Sequence, residues 1–514
     1  MPVAVAEAYR KESADLRPFY SAWPREIFNR EPTTGQCWPG LREELDAYHA
    51  SIGNTPAEWG DCFVVTGQQP ALFTGPLYTI YKIATAIRLA TEISERQGIR
   101  CTPVYWQGSD DHDFNEARSA TVLTRGHEPL TLTYEPLHDV AGLPMYRVPL
   151  DTSAHDLVDR AADSTPGSEF REDIRAFLHG SLDASSSLAN WNARLIARLF
   201  AGSGLVIFTS ELRSARFAAT EVLKKEILDP LATTRLVNEA GARLSALNYE
   251  QQVAKGENEC GFFLEVDRKR CKITFQDGGF FVPTAGLRFA PDELLGVLDA
   301  EPERFSPNVA LRCIVQQRLF PVAAYVAGPG EIAYWGQFKP LFEYFDAPMP
   351  VVYPRARCLL STAKLNKLQS KLGLDAAHVV DWSAPDDIIT RALRKSADNP
   401  FVTALQKRKS SIENELRGLE QDLAKAPVPA ATLTDRVADA IESYERILMR
   451  ADEARYETVR QQVTRLCNTF APFRKPQERV YTIFSFLFEH GWDLIPRIVR
   501  DVDIESFGIT EIEL

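Results

Sequence analysis

Cys62-Phe-Val-Val-Thr-Gly-Gln-Gln-Pro-Ala-Leu-Phe-Thr-Gly-Pro-Leu-Tyr-Thr-Ile-Tyr-Lys82 changes character twice in one short stretch. It opens on an uncharged, largely β-branched and aromatic run, Cys62 to Thr66, which predicts a strand buried on both faces. Gly67 ends that run, and the loop Gly67 to Pro76 leads into Leu77 to Arg96. There Ile80, Ile83, Ala84, Ile87, Leu89 and Ala90 recur near helical spacing. Gly98 marks the helix stop, and Pro103-Val-Tyr-Trp106 reads as the next buried strand. Strand, loop, helix and strand form a right-handed βαβ unit, so the chain belongs to the α/β class. The absence of charge from Cys62 to Tyr81 does not imply a membrane span. Glycines and prolines interrupt it, whereas a span needs about twenty mainly apolar residues in one helix.

The pattern extends outward from this unit. Residues 1–60 read as a helical lead-in, with a helix around Leu41, Leu45 and Tyr48. Residues 61–240 hold the first half of the core with a helical insertion, and Leu205-Val-Ile-Phe-Thr209 is its third strand. Residues 241–318 change texture to short aromatic strands, Gly261–Val266, Cys271–Phe275 and Gly279–Val282, an antiparallel β-rich insertion. The core resumes over 319–385 with Val322–Val326 and Pro350–Tyr353. Over 386–475 the spacing turns heptad-like. Leu405, Ile412, Leu416, Leu419 and Leu423 form one seam; Val437, Ile441, Tyr444, Leu448 and Ala451 form another. Pro427 and Pro429 put a bend between two antiparallel helices. Residues 476–514 are aromatic and apolar and are expected to pack back on the core.

The 514-residue chain carries a net charge of −12. Such a chain repels phosphate backbones, which argues against a nucleic-acid partner. Its eight cysteines include no C-x-x-C pair, so no zinc motif is written locally. Scattered thiols and a charged, non-apolar Met1–Tyr20 predict a reduced cytoplasmic protein without a signal peptide or membrane anchor.

Chemistry concentrates at the ends of the predicted strands, where open α/β sheets bind ligands. Gly67, Gln68, Gln69, Gly75, Tyr78 and Lys82 follow the first strand. Backbone amides there and the Lys82 charge at a helix start are expected to hold an anion. The spacing is neither G-x-G-x-x-G nor a Walker loop. Trp106 and Asp110-Asp111-His112-Asp113 follow the second strand. His112 is expected to act as a base, with Asp111 or Asp113 raising and orienting the imidazole. Competing readings are a helix cap for one carboxylate and a metal-dependent hydrolase or transferase site for the cluster. Gly328, Gly330, Glu331 and Tyr334 follow a later strand, and Arg355 follows the next.

Taken in order, Gly67-Gln68-Gln69, Leu72 to Lys82, Pro103 to Asp113, Ala327 to Trp335, Met349-Pro350, Ala471-Pro472 and Gln477-Glu478-Arg479 resemble the bacillithiol-synthesis cysteine ligases, the BshC family. The resemblance covers essentially the whole chain. It implies a Rossmann-like core related to class I aminoacyl-tRNA synthetases, connecting-peptide insertions and a coiled-coil arm used for homodimerisation. It further implies a ligase adding L-cysteine to the amine of glucosaminyl-malate. ATP is the cofactor the resemblance suggests; the residues themselves leave the cofactor unknown and assign no metal ligand. The synthetase H-I-G-H signature is replaced by Gly75 to Lys82. Only Lys364-Leu-Asn-Lys367 and Lys371 stand loosely for K-M-S-K-S. An inactive synthetase-like scaffold is the non-enzymatic alternative, opposed by the cost of keeping polar groups buried at several strand ends.

Overall fold

The computed structural model describes residues 4–55, 58–374, 385–395, 400–423, 431–451 and 453–514. They form two compact units: 1–125, 130–358 and 481–512 in the first, and 126–129, 359–480 and 513–514 in the second.

The first unit is built on five parallel strands: β1 (Cys62–Gln68), β2 (Cys101–Gln107), β3 (Val206–Thr209), β4 (Val322–Ala327) and β5 (Val351–Pro354). Their spatial order is β5-β4-β1-β2-β3. Helices cover the sheet, so the strands are buried almost throughout and their apolar runs do not alternate. The chain winds outward from β1 in one direction and returns to lie on its other side as β4. The boundary between β1 and β4 is therefore the topological switch point, where the strand ends open a crevice. In register, Gly67 lies beside Trp106 and Gln68 beside Gln107.

The lead-in closes both edges of this sheet. Tyr9 Oη donates to the Val352 carbonyl on β5 (2.9 Å), and Ile207 N on β3 donates to His49 Nε2 (3.0 Å). Covering the edges removes unpaired backbone groups that would otherwise recruit another strand. The helical insertion between β2 and β3 comprises Ser153–Ser164, Arg171–Asp183 and Leu188–Leu199.

The predicted β-rich segment is an antiparallel sheet in the order Phe305–Pro307, Glu259–Val266, Lys269–Gln276, Gly279–Val282 and Leu287–Phe289. It does not stand apart. Glu226, fully buried on the helix Arg213–Leu228, accepts from Gly261 N (3.1 Å) and Thr233 Oγ1 (2.7 Å). Phe262 and Leu264 share one apolar cluster with Trp106 and Phe208 of the parallel sheet.

Residues 481–512 lie in the first unit and fix the loop after β1. Leu77 N donates to the Tyr481 carbonyl (2.7 Å), and Thr482 Oγ1 donates to the Phe73 carbonyl (2.7 Å). The Phe73 ring packs between Trp191 (5.4 Å) and Phe484 (5.7 Å). These contacts hold Phe73 (φ 50°), Thr74 (φ 66°) and Gly75 (φ 73°) in the left-handed half of backbone space, which is costly for residues with a Cβ.

In the second unit, the helices Pro400–Asp422 and Ala431–Arg450 run antiparallel. Gln406 pairs with Glu445 (3.0 Å) and Lys409 with Glu442 (3.9 Å), so the first helix ascends as the second descends. The bend expected at Pro427 and Pro429 lies outside the described residues. The unit is wider than the predicted 386–475. The Gln477 side chain bonds both Leu360 N and Leu360 O (2.9 Å each) and joins residues around 360 to those around 477. All eight cysteines are free thiols, and among the described residues no helix is long and apolar enough to cross a membrane.

Gly75 has ψ −161° with its positive φ, a region essentially restricted to glycine, and an added Cβ would lie 3.3 Å from Ala71 Cβ. Gly75→Ala is therefore expected to destabilise the first unit by about 1–3 kcal/mol, read as a lower midpoint in its thermal transition. An unchanged midpoint would show that the loop relaxes freely.

Candidate active site at the carboxyl ends of the parallel strands

Lys82 reaches back from the second turn of the helix Tyr78–Gln97 into the switch point. Its side chain is 2% exposed, and its ammonium meets Glu331 Oε2 at 2.6 Å, the Gly67 carbonyl, and Gln68 Oε1 at 3.4 Å. Burial pulls the lysine down from its ordinary pKa, while Glu331 supports the charged form. Glu331 in turn accepts from Gly328 N (2.8 Å) and Tyr325 Oη (2.8 Å), so one carboxylate gathers β4, the following helix and the helix after β1. Burial and Glu331 push the Tyr325 hydroxyl well above its ordinary value, which keeps it a donor.

This arrangement changes the role read for Lys82 from sequence. The Gly67 carbonyl, not a loop amide, faces the ammonium, and Glu331 already balances its charge. Leu77 N at the helix start is occupied by the Tyr481 carbonyl. A different cation lies close by without a carboxylate partner. Arg312, on the helix Val309–Leu319, places Nη1 3.6 Å from where a Cβ on Gly67 would lie. It makes only long contacts with Gln316 (3.3 Å), Tyr325 (3.5 Å) and Cys313 (3.7 Å). Among the described residues, no carboxylate lies within ion-pair distance of it.

The second group of polar residues lies at the end of β2. Gly108 N donates to the Gln68 carbonyl (2.9 Å), joining it to the first group. Ser109 Oγ is within hydrogen-bond distance of Thr209 Oγ1 (3.0 Å) and Ser210 Oγ (2.8 Å), which ties β2 to β3. Asp110 pairs with the buried Arg216 at 2.6 Å and is therefore committed. Asp111 Oδ1 accepts from Asp113 N (3.0 Å), and Asp113 caps the short helix Phe114–Ala117 by accepting from Glu116 N (3.3 Å). Neither carboxylate hydrogen-bonds the His112 ring. That ring instead meets Arg270 Nη1 at Nδ1 (3.4 Å) and the edge of Phe263 (5.6 Å between centroids), both from the β-rich insertion.

The expectation that carboxylates raise the His112 pKa is thus reversed. Burial is the largest influence and lowers it; Arg270 lowers it further, outweighing Asp111 and Asp113. The ring is neutral near pH 7. Of the remaining predicted residues, Trp106 turns into the core and packs at a tilt against Phe208 (3.9 Å between ring centroids). Gln69 reaches Glu116 (3.1 Å), and Gln68 reaches Tyr78 (3.4 Å). Arg355 is buried over the Tyr78 ring (5.7 Å), and Tyr334 Oη lies 3.5 Å from Glu331. Gly330 is exposed with open space around it. Sequence reading missed Arg216, Arg270 and Arg312. A signal was available only for Arg312, a single arginine within Val309-Ala-Leu-Arg-Cys-Ile-Val315; Arg270 is hidden in the charged run Asp267-Arg-Lys-Arg-Cys-Lys272, and Arg216 follows Arg213 by one turn.

Among the described residues, no group of three or more His, Cys, Asp or Glu side chains is arranged to hold a metal ion. A phosphate-bearing group such as ATP finds compatible chemistry in the Arg312 guanidinium, while the space beside Gly67 is already filled by Tyr325 Oη and the Trp106 carbonyl, 3.1 and 3.4 Å from where a Cβ would lie.

A family model described as the N-terminal Rossmann-like domain of bacillithiol biosynthesis BshC matches residues 5–356. A second, the C-terminal coiled-coil domain of BshC, matches residues 358–514, so the two meet where the two structural units divide. A relative from Salinibacter ruber named "Putative cysteine ligase BshC" is 33% identical over 433 residues, covering 83% of this chain and 78% of its own. One of the same name from Geobacillus thermodenitrificans is 30% identical over 483 residues, covering 89% and 87%. A solved arginyl-tRNA synthetase-like chain from Campylobacter jejuni overlaps 86% of this chain and 98% of its own at 10% identity. Its TM-score of 0.22 is too low to carry an argument.

Removing one member of a buried ion pair leaves the other charge uncompensated. Glu331→Gln is expected to cost about 2–4 kcal/mol, discounted because Glu331 keeps 19% exposure. Lys82→Met combined with Glu331→Gln should recover part of that loss in thermal unfolding. A double variant no more stable than Glu331→Gln alone would show that the pair does not set local stability.

Proposed function

The chain belongs to the bacillithiol-biosynthesis BshC family, and from that premise we propose that it joins the carboxyl carbon of L-cysteine to the amine of glucosaminyl-malate. The relatives' shared name, matched along most of the chain, carries this reading. The site chemistry supports it. Both substrates bring carboxylates, and Arg312 is a half-buried guanidinium with no carboxylate among the described residues in ion-pair contact. Forming an amide requires an activated carboxyl, an uncharged amine and a site that excludes water. ATP would supply the activation by turning the carboxylate oxygen into a leaving group. Arg312 would receive its anionic part, and His112 would meet the reacting carbon from the end of β2. The carboxylates of the Asp110–Asp113 segment serve the fold: Asp110 neutralises Arg216, and Asp113 caps a helix.

Purified protein with cysteine and glucosaminyl-malate, with and without ATP and a chelator, tests this directly by mass spectrometry. An amide product dependent on ATP is expected. Absence of product under all four conditions overturns the ligase reading, and loss with chelator alone would require a metal. His112→Ala should lower turnover about a hundredfold or more, the usual contribution of a positioned proton-transfer or hydrogen-bonding group.

The assembly is proposed to be a cytoplasmic homodimer formed through the helical hairpin. Tyr444 is 56% and Ile447 58% exposed on the second hairpin helix, and Leu433 is 44% exposed. Apolar side chains left uncovered along one helix are suited to a two-fold contact. Tyr444→Glu with Ile447→Glu is expected to convert a dimer to a monomer in light scattering at micromolar concentration. A dimer surviving both substitutions would place the contact elsewhere.

A further inference from the structure

The guanidinium of Arg270 is fixed on every side. Nε donates to Ser306 Oγ (2.8 Å) and Nη2 to the Pro307 carbonyl (2.8 Å). Its plane lies over the Phe263 ring at 3.7 Å, and Phe263 also packs edge-on against His112. The remaining nitrogen, Nη1, is directed at His112 Nδ1. An arginine side chain has five N–H donors and no acceptor, and it does not lose its proton in proteins. The imidazole nitrogen facing it must therefore accept. In a neutral ring that leaves the proton on the opposite nitrogen, Nε2.

We infer that His112 acts as a neutral hydrogen-bond donor through Nε2–H, and that Arg270 is the positioning residue that fixes this tautomer. A base would need an Nε2 lone pair and hence an N–H at Nδ1 pointing into the Arg270 N–H. The arrangement forbids that pairing. Nε2–H is suited to an oxygen that gains negative charge as the amine attacks the acyl carbon. The carbon–nitrogen bond forms, the bond to the leaving oxygen breaks, and the amine proton departs on that oxygen rather than on the ring. The assignment of a reaction rests on the ligase reading; the tautomer is a property of the free chain.

The groups facing the ring agree with this. Arg270 and Lys272 come from the strand Lys269–Gln276 and oppose protonation, while Asp111 and Asp113 from its own loop favour it; burial adds to the former. The imidazole stays uncharged at neutral pH and keeps a donor that does not titrate away there.

Two measurements test the inference. Exchange of the histidine C2 hydrogen, followed by mass spectrometry against pH, reads the His112 titration without substrate. The midpoint should lie below the ordinary value of 6.5 and should rise in Arg270→Gln, where the two aspartates remain and the guanidinium is gone. Arg270→Lys, which keeps a donor-only group, should restore it in part. A midpoint unmoved by Arg270→Gln overturns the role of Arg270. In turnover, His112→Gln places an amide N–H near the position of Nε2–H and should exceed His112→Ala by about tenfold or more. His112→Asn should not, because its amide nitrogen falls near Nδ1. Equal loss in His112→Gln and His112→Ala, with a wild-type rate that climbs through the imidazole titration, overturns the donor role in favour of a base. A chain with no ligase activity but the expected exchange behaviour would sink the reaction assignment and leave the tautomer standing.

Discussion

A lysine with almost no water around it holds the ends of two parallel strands together. Lys82 neutralises Glu331, takes the Gly67 carbonyl, and so links β1, β4 and the helices that follow each of them. Charged groups are tolerated in such a place only when paired and hydrogen-bonded. Glu331 meets that condition with Tyr325 and Gly328 as well as Lys82. The neighbouring groups are placed from this junction: the Arg312 guanidinium beside Gly67, and the Gly108 turn that carries the chain towards His112.

The rest of the site arrives from segments far away in sequence. Arg270 and Phe263 belong to the β-rich insertion, yet they define the environment of a ring on the β2 loop. The loop after β1 keeps three successive residues at positive φ because the last part of the chain pins it through Tyr481, Thr482 and Phe484. Strain of this kind persists where the surroundings over-determine it, which places rigid backbone beside the reacting groups.

The candidate site and the helical hairpin fall in different units. The first holds the polar groups at the strand ends. The second presents a helical hairpin whose ladder of Gln406–Glu445 and Lys409–Glu442 fixes its antiparallel sense while leaving apolar side chains uncovered. None of the site residues described above lies on this hairpin.

Sequence alone determined the parallel α/β class, the succession of strands along the chain though not their order in the sheet, the antiparallel insertion and the hairpin, because each depends on hydrophobic periodicity and on glycine or proline punctuation. It also located the strand-end segments at Gly67, Asp110 and Gly328, since polar residues crowded after a buried strand are costly unless they serve a purpose. What it could not supply was which charges meet. Lys82 lies 249 positions from Glu331, and His112 lies 158 from Arg270, separations with no local spacing to reveal them. Nearness in sequence suggested Asp111 and Asp113 as the partners of His112. Tertiary structure decided otherwise: the carboxylates turn back to satisfy backbone amides of their own loop, and an arginine from the insertion occupies the face of the ring they leave open. The physical reason is that a local backbone donor captures a short acidic side chain before a distant partner can reach it, whereas a long buried cation must find its acceptors wherever the fold brings them.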